Sequence, residues 1–127
     1  MTVEFTHQTP VLPVADLHET QRYYRDVLHF NVDWTDRDQF GAVSNGAISV
    51  FFSRSPGSRS QCVLVWNTAN ADDVLADYRA SGARIVQDIA NRPWGMREFV
   101  IEDLNGHRMR IGHVDESAAD YGRFTSA

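Results

Sequence analysis

Between positions 17 and 28 the chain places Leu17, Gln21, Tyr24 and Leu28 at the i, i+4, i+7 and i+11 spacing of one helix face. Asp16 in front of it and Glu19 three residues on have the form of a helix N-cap, and the helix is expected to end near His29. Residues 9–14 ahead of it read as a short strand. Three strand candidates follow at 30–37, 39–44 and 47–54, separated by short polar turns, and Asn45-Gly46 is a strong hairpin signal between the last two. The stretch Ser55-Pro56-Gly57-Ser58-Arg59-Ser60 is dense in turn formers and reads as a linker.

After the linker the pattern restarts. A strand is predicted at 62–68, a helix at 71–81 closed by Gly82, and strands at 83–89, 96–102 and 107–113. Tyr24, Arg25 and Val32 recur 54 positions on as Tyr78, Arg79 and Val86, and the same offset sets Thr9 opposite Val63 and Leu12 opposite Trp66. The expected fold is therefore α+β: two βαβββ modules, about 8–55 and 61–114, within a single domain spanning 1–114. In each module a helix covers one face of a small sheet, while the other face is concave and needs a partner. The cavity those faces enclose is the default binding site. Residues 115–127, in which only Tyr121 and Phe124 are large and apolar, are expected to be a flexible tail.

Composition narrows the chemistry. The 127 residues suit one domain, and all twelve basic residues are arginine, so lysine Schiff bases, lysine general bases and phosphate-loop lysines are excluded. A formal charge of −5 with no basic face or tail argues against nucleic acid as a partner. Cys62 is the single cysteine, which rules out an internal disulfide and a cysteine metal cluster and suits a reducing compartment. No charged region leads into an apolar stretch at the N-terminus, and no apolar run approaches the roughly 18 residues of a membrane helix. The expectation is a cytoplasmic protein with no membrane partner.

Parity resolves the last hairpin. With a turn over 103–107, Ile101 faces Met109 and Phe99 faces Ile111, an apolar face for the helix. The other face carries Glu98, Val100 and Glu102 opposite Arg108 and Arg110. Arg108 and Glu102 make a cross-strand pair near the turn. Arg110 has two roles open to it: its guanidinium binds a carboxylate or other acceptor of a ligand, or it forms a salt bridge to Glu98 that satisfies both groups. Val63, Val65 and Asn67 share the same inward parity, and Asn67 offers a donor and an acceptor. The five histidines, His7, His18, His29, His107 and His113, form no i, i+2 or i, i+4 pair and read as surface or strand-end residues. His7 would share a face with Thr9 if the first strand reached that far. Cys62 reads as packing.

The stretch from Pro93-Trp94-Gly95 through Asp103-Leu104-Asn105-Gly106-His107 resembles the signature hairpin of the vicinal oxygen chelate superfamily. That superfamily includes glyoxalase I, extradiol dioxygenases, fosfomycin resistance enzymes and bleomycin resistance proteins. The chain is most similar to the bleomycin resistance proteins, from Thr9 to about His113, through Pro10-Val11-Leu12, Asp16, Asp26-Val27-Leu28-His29-Phe30 and the segment Asp33-Trp34 to Ala42-Val43. The resemblance implies metal ligands at Thr9, at Val63, at Arg110 and at Val50 or Phe51, none of which offers a ligand for a divalent cation. No metal, no cofactor and no catalytic residue are therefore expected. By the same resemblance Trp34, Phe40 and Trp94 stand where the family has aromatic side chains near its drug crevice. Asp33, Asp36 and Asp38 around Trp34 suit a flat or cationic guest. The expected ligand-binding set is Trp34, Asp38, Phe40, Val65, Asn67, Trp94, Glu98 and Arg110.

The function implied is that of a non-catalytic small-molecule binding protein, sequestering a bleomycin-like or other aromatic natural product, in a homodimer. The alternative is an enzyme of the same superfamily, a lyase, isomerase or dioxygenase, either with an aberrant metal site that includes His7 or metal-free with Glu98 as base. Three departures from the family pattern stand out: a short linker bearing Arg54 and Arg59, His29 where a glycine is usual, and Leu104 where the turn usually has proline. They make the crevice less acidic and point to a guest other than bleomycin itself.

Overall fold

The computed structural model describes residues 2–117; most of the tail expected at 115–127, from residue 118 on, lies outside them. The chain divides between Ser60 and Gln61 into two compact units. The first contains β1 (Val11–Val14), α1 (Leu17–Asp26), β2 (Asn31–Asp36), β3 (Phe40–Asn45) and β4 (Ile48–Arg54). The second contains β5 (Val63–Asn67), α2 (Ala71–Ser81), β6 (Arg84–Asn91), β7 (Met96–Glu102) and β8 (Arg108–Val114). The sheets run β1-β4-β3-β2 and β5-β8-β7-β6, the same order in both, so the repeat seen in the sequence is a repeat of topology.

In the first unit, β1 pairs with β4 in parallel and β2, β3 and β4 form an antiparallel meander. Strand alternation sends Leu12, Val14, Val43, Val50 and Phe52 to the α1 face, where all are buried. Tyr24 of α1 meets Phe52 and Phe30 edge to face, with ring centroids at 4.9 and 5.6 Å. The predicted helix face Leu17, Gln21, Tyr24 and Leu28 is buried throughout. Gln21 tolerates this because its amide nitrogen donates to the Trp34 carbonyl at 3.0 Å and its oxygen accepts from Thr35 Oγ1 at 3.0 Å.

Asp16 caps α1 by accepting from the Glu19 N–H at 2.9 Å, as predicted. The helix stops at Asp26, earlier than expected, because His29 turns left-handed at φ 64 and sends the Phe30 N–H back to the Tyr24 carbonyl. Asn45 Nδ2 holds the His29 carbonyl at 3.0 Å, which helps a non-glycine residue keep that conformation. The hairpin predicted at Asn45-Gly46 forms one residue later. Asn45 is still paired with Ile48, and Gly46 and Ala47 make the turn, with positive φ at Gly46.

In the second unit α2 runs over the predicted residues, from the Asn70 side-chain cap to Gly82 at φ 93. Its Leu75 and Tyr78 are buried, as are Phe99, Ile101, Met109 and Ile111 of the sheet. Tyr78 repeats Tyr24 in its burial as in its position. Register pairs Phe99 with Ile111 and Ile101 with Met109, as parity required, and Arg108 stands opposite Glu102 with an ion pair of 3.6 Å.

Two histidines read as ordinary surface or strand-end residues serve the second unit's framework. His107 is fully buried; its Nδ1 accepts from the Cys62 N–H at 2.9 Å and its own N–H donates to Asp103 Oδ1 at 3.0 Å. His113 Nδ1 accepts from the Ala71 N–H at 3.0 Å, satisfying a free donor in the first turn of α2.

Arg97 of β7 reaches Asp72 of α2 through two bonds of 2.8 Å, a fork on a carboxylate. Hydrogen bonds from Arg97 hold the Asp72 carboxyl below its ordinary range. A depressed carboxylate adds stability that is complete above its unfolded value and is lost as pH falls through the folded value. Arg97→Gln should therefore flatten the acid limb of the stability profile below about pH 4, as read by thermal melting across pH. An acid limb identical in the two proteins would remove this pair from the account.

Candidate functional site

Each unit has one sheet face covered by its helix and one that is not, and seven of the eight expected residues lie on or against the uncovered faces. In the first unit the register Val11, Phe51, Ala42 and Trp34 runs across that face. A bulge between Val32 and Trp34 in β2 aims the indole onto it. The Trp34 and Phe51 rings meet at 5.2 Å and 69°, edge to face. Trp34 is 44% exposed and Phe40 46%, large values for aromatic side chains that have a core within reach. Asp38 is placed elsewhere: it stands at the tip of the β2–β3 hairpin beside Arg37 at φ 54, and its carboxylate accepts from Gln39 Nε2 at 3.1 Å.

In the second unit three of the expected residues come together. Arg110 Nε and Nη2 donate to the two carboxylate oxygens of Glu98 at 3.0 and 2.9 Å. Trp94 donates its indole N–H to Glu98 Oε1. The Arg110 guanidinium carbon lies 5.1 Å from the Trp94 ring centre, in cation–π contact. Glu98 is almost wholly buried and Trp94 is half-exposed. Hydrogen bonding to Glu98 raises the Arg110 pKa further, so the guanidinium is fixed as a cation. Of the two partners open to Arg110, Glu98 is the one it bonds. Val65 lies beside Arg110 in register, and Asn67 beside Gly112; both are exposed on the same face.

Register also settles the position that sequence left open between two residues. Val11 pairs with Phe51 as Val65 pairs with Arg110, so Phe51 is the first unit's counterpart of Arg110, while Val50 is buried on the helix side. The four positions implied for a metal are thus Thr9, Phe51, Val63 and Arg110. A hydroxyl, two apolar side chains and a guanidinium cation do not fit a divalent ion. His7 does not repair this: β1 begins at Val11, and the exposed His7 ring contacts Thr6 Oγ1 at 3.0 Å. Among the described residues no three His, Cys, Asp or Glu side chains gather as a metal site would require. An open cavity of about 530 Å³ in the second unit is lined by Asn91, Arg97, His113 and Asp115 among others, and none of the expected residues borders it.

Two βαβββ units of identical strand order, each with helix on one face, define the vicinal oxygen chelate class of fold. The chain belongs to the Glyoxalase/Bleomycin resistance protein/Dioxygenase superfamily, whose family model matches residues 5–111. No curated protein matches it in sequence. Among solved structures it is similar to a bleomycin resistance determinant encoded on the transposon Tn5, at 19% identity and TM-score 0.78, covering 87% of this chain and 99% of that one. It is also similar to a bleomycin-binding protein from bleomycin-producing Streptomyces verticillus in complex with copper(II)-bleomycin, at 21% identity and TM-score 0.73, covering 87% and 97%. A lactoylglutathione lyase from Agrobacterium tumefaciens matches at 16% identity and TM-score 0.73, covering 88% and 96%. Binding and catalysis thus both occur on this fold, and the choice between them rests on side chains.

No helix of the described residues is long and apolar enough to cross a membrane.

Proposed function

We propose that this protein is a non-catalytic binding protein that sequesters a planar aromatic natural product, in the manner of an antibiotic-resistance protein. One observation carries the reading: on the uncovered sheet face of the first unit, the counterpart of a metal-ligand position is Phe51, and Trp34 packs against it while remaining 44% exposed. An aromatic wall in place of ligands favours stacking over Lewis-acid chemistry. Glu98 does not favour the metal-free enzyme. Its two oxygens are engaged by Arg110 and Trp94, so abstraction of a substrate proton would first have to displace one of them. The similar structures with bleomycin or bleomycin resistance in their descriptions support a guest of that general kind, and a homodimer is part of the same reading.

Titration with bleomycin and with other planar antibiotics, followed by tryptophan fluorescence, tests it. Saturable, stoichiometric quenching is expected for at least one of them, and Trp34→Ala should weaken it by about 2 kcal/mol as an aromatic anchor. Stoichiometric Zn, Mn, Fe or Ni in the purified protein, found by elemental analysis, or the absence of any binding, would overturn the sequestration reading.

A further inference from the structure

Trp94 lies in a loop between Pro93 and Gly95, with Gly95 at φ 84, where no strand fixes the indole. Two contacts, themselves linked to each other, fix it all the same. Its N–H donates to Glu98, Arg110 lies against its ring at 5.1 Å, and Arg110 is itself forked onto Glu98. Glu98 is anchored on β7 with a side chain 6% exposed, whereas that of Arg110 is 38% exposed. Gly112 stands opposite Glu98, and a Cβ there would lie 2.8 Å from the Glu98 Cβ, so the absence of a side chain at 112 is what lets the carboxylate occupy this place.

Burying a charge is costly unless it is paired and bonded, and here the pair's geometry is directed at an indole rather than at open solvent. We propose that Glu98 and Arg110 are a positioning pair that holds Trp94 in one orientation, as a preformed, half-exposed stacking platform with Arg110 against the ring. The proposal rests on the aromatic-guest reading above for its purpose. Arg110, expected from sequence as a ligand-binding residue, acts through Trp94 instead. The gain is preorganisation: an indole already held in one rotamer does not lose that freedom when a guest arrives, which is worth roughly three- to tenfold in affinity.

The test uses the full-length protein labelled with 5-fluorotryptophan, the three tryptophan signals being assigned by Trp34→Phe, Trp66→Phe and Trp94→Phe. In the parent protein Trp94 should give one sharp ¹⁹F line and a slowly exchanging indole N–H. Glu98→Met with Arg110→Met removes both charges together and leaves no unpaired buried ion, and an unchanged signal from the buried Trp66 certifies the fold. In that variant the Trp94 line should broaden or split, its N–H should exchange at the rate of a free indole, and affinity for bleomycin, or for whichever antibiotic the parent binds, should fall roughly three- to tenfold. Arg110→Lys restores a cation without the fork and should leave the Trp94 line broadened; it supplies the same readout if the double variant does not fold. A single, protected Trp94 line in the folded variants overturns the proposal, as does unchanged affinity once the ring is free. If the parent binds no planar antibiotic, the aromatic-guest reading fails by itself, while the Trp94 line still decides whether the pair positions the ring.

Discussion

Arg110→Ala is expected to cost the fold about 3 kcal/mol, because it strands the Glu98 carboxylate where water scarcely reaches it. The Glu98 side chain is 6% exposed, and after the substitution the Trp94 N–H would be the donor left to it. Removing one partner of a buried pair typically costs about 3–5 kcal/mol. Arg110 is itself 38% exposed, so water entering the vacated space places the expected cost at the low end of that range. Glu98→Met with Arg110→Met should recover most of the loss, since a buried pair replaced by apolar groups of similar volume is often neutral. Urea unfolding reads both, with a lower midpoint and an unchanged slope expected for Arg110→Ala. A loss below about 1 kcal/mol would mean that solvent replaces the guanidinium and that the pair is a surface one. Arg25→Ala is the control: its bridge to Asp26 joins sequence neighbours whose side chains are 54% and 61% exposed, and no measurable change is expected.

Gly112→Ala should be nearly as damaging although it adds one methyl. The new Cβ would lie 2.7 Å from the Arg97 carbonyl oxygen and 2.8 Å from the Glu98 Cβ, closer than side chains pack. The first of these is backbone and the second belongs to a buried side chain held by its own bonds, so β7 has to move away from β8. Overpacking of this kind costs about 1–3 kcal/mol, and the upper part is expected because the displaced residue carries the buried charge. The same displacement should release Trp94, so fluorescence of the indole and the melting temperature should change together. A variant as stable as the parent would show that the two strands part without penalty at this point.

The fold was legible because it rests on patterns of short range. The helix predicted at 71–81 and closed by Gly82 keeps both ends in the structure, its start held by an Asn70 cap that the sequence reading does not single out. In the last hairpin a slip of one residue would turn the apolar residues of one strand, Phe99 and Ile101 or Met109 and Ile111, away from the helix face, so alternation and the turn over 103–107 fix its register together. Legibility failed where a single backbone angle decides. The end of α1 depends on His29 turning left-handed, a conformation its side chain does not advertise, and the β3–β4 turn slid by one residue because Gly46 fits the first as well as the second turn position.

The candidate site divides along the same line. Sequence put Trp94, Glu98 and Arg110 on one list and left Arg110 with two roles. It also passed over Phe51 as an aromatic, because a parallel strand pairing between residues forty positions apart leaves no local signature, and the 54-residue offset carries Arg110 to Pro56 rather than to Phe51. Asp38 was drawn toward Trp34 by proximity in the chain, but the tight β2–β3 hairpin carries it to the tip.

By itself, then, the sequence determined the two βαβββ units, the apolar face of each sheet, and the exclusion of lysine chemistry, since there is no lysine anywhere. These follow from composition and from periods of 2 and 3.6 residues, which act over a few bonds. The tertiary structure alone decided that Arg110 binds Glu98, that Glu98 receives the Trp94 indole, and that Phe51 backs Trp34. Each depends on distances of a few ångströms between residues brought together by strand pairing or loop closure, and on the missing Cβ of Gly112, which no local pattern in the chain encodes.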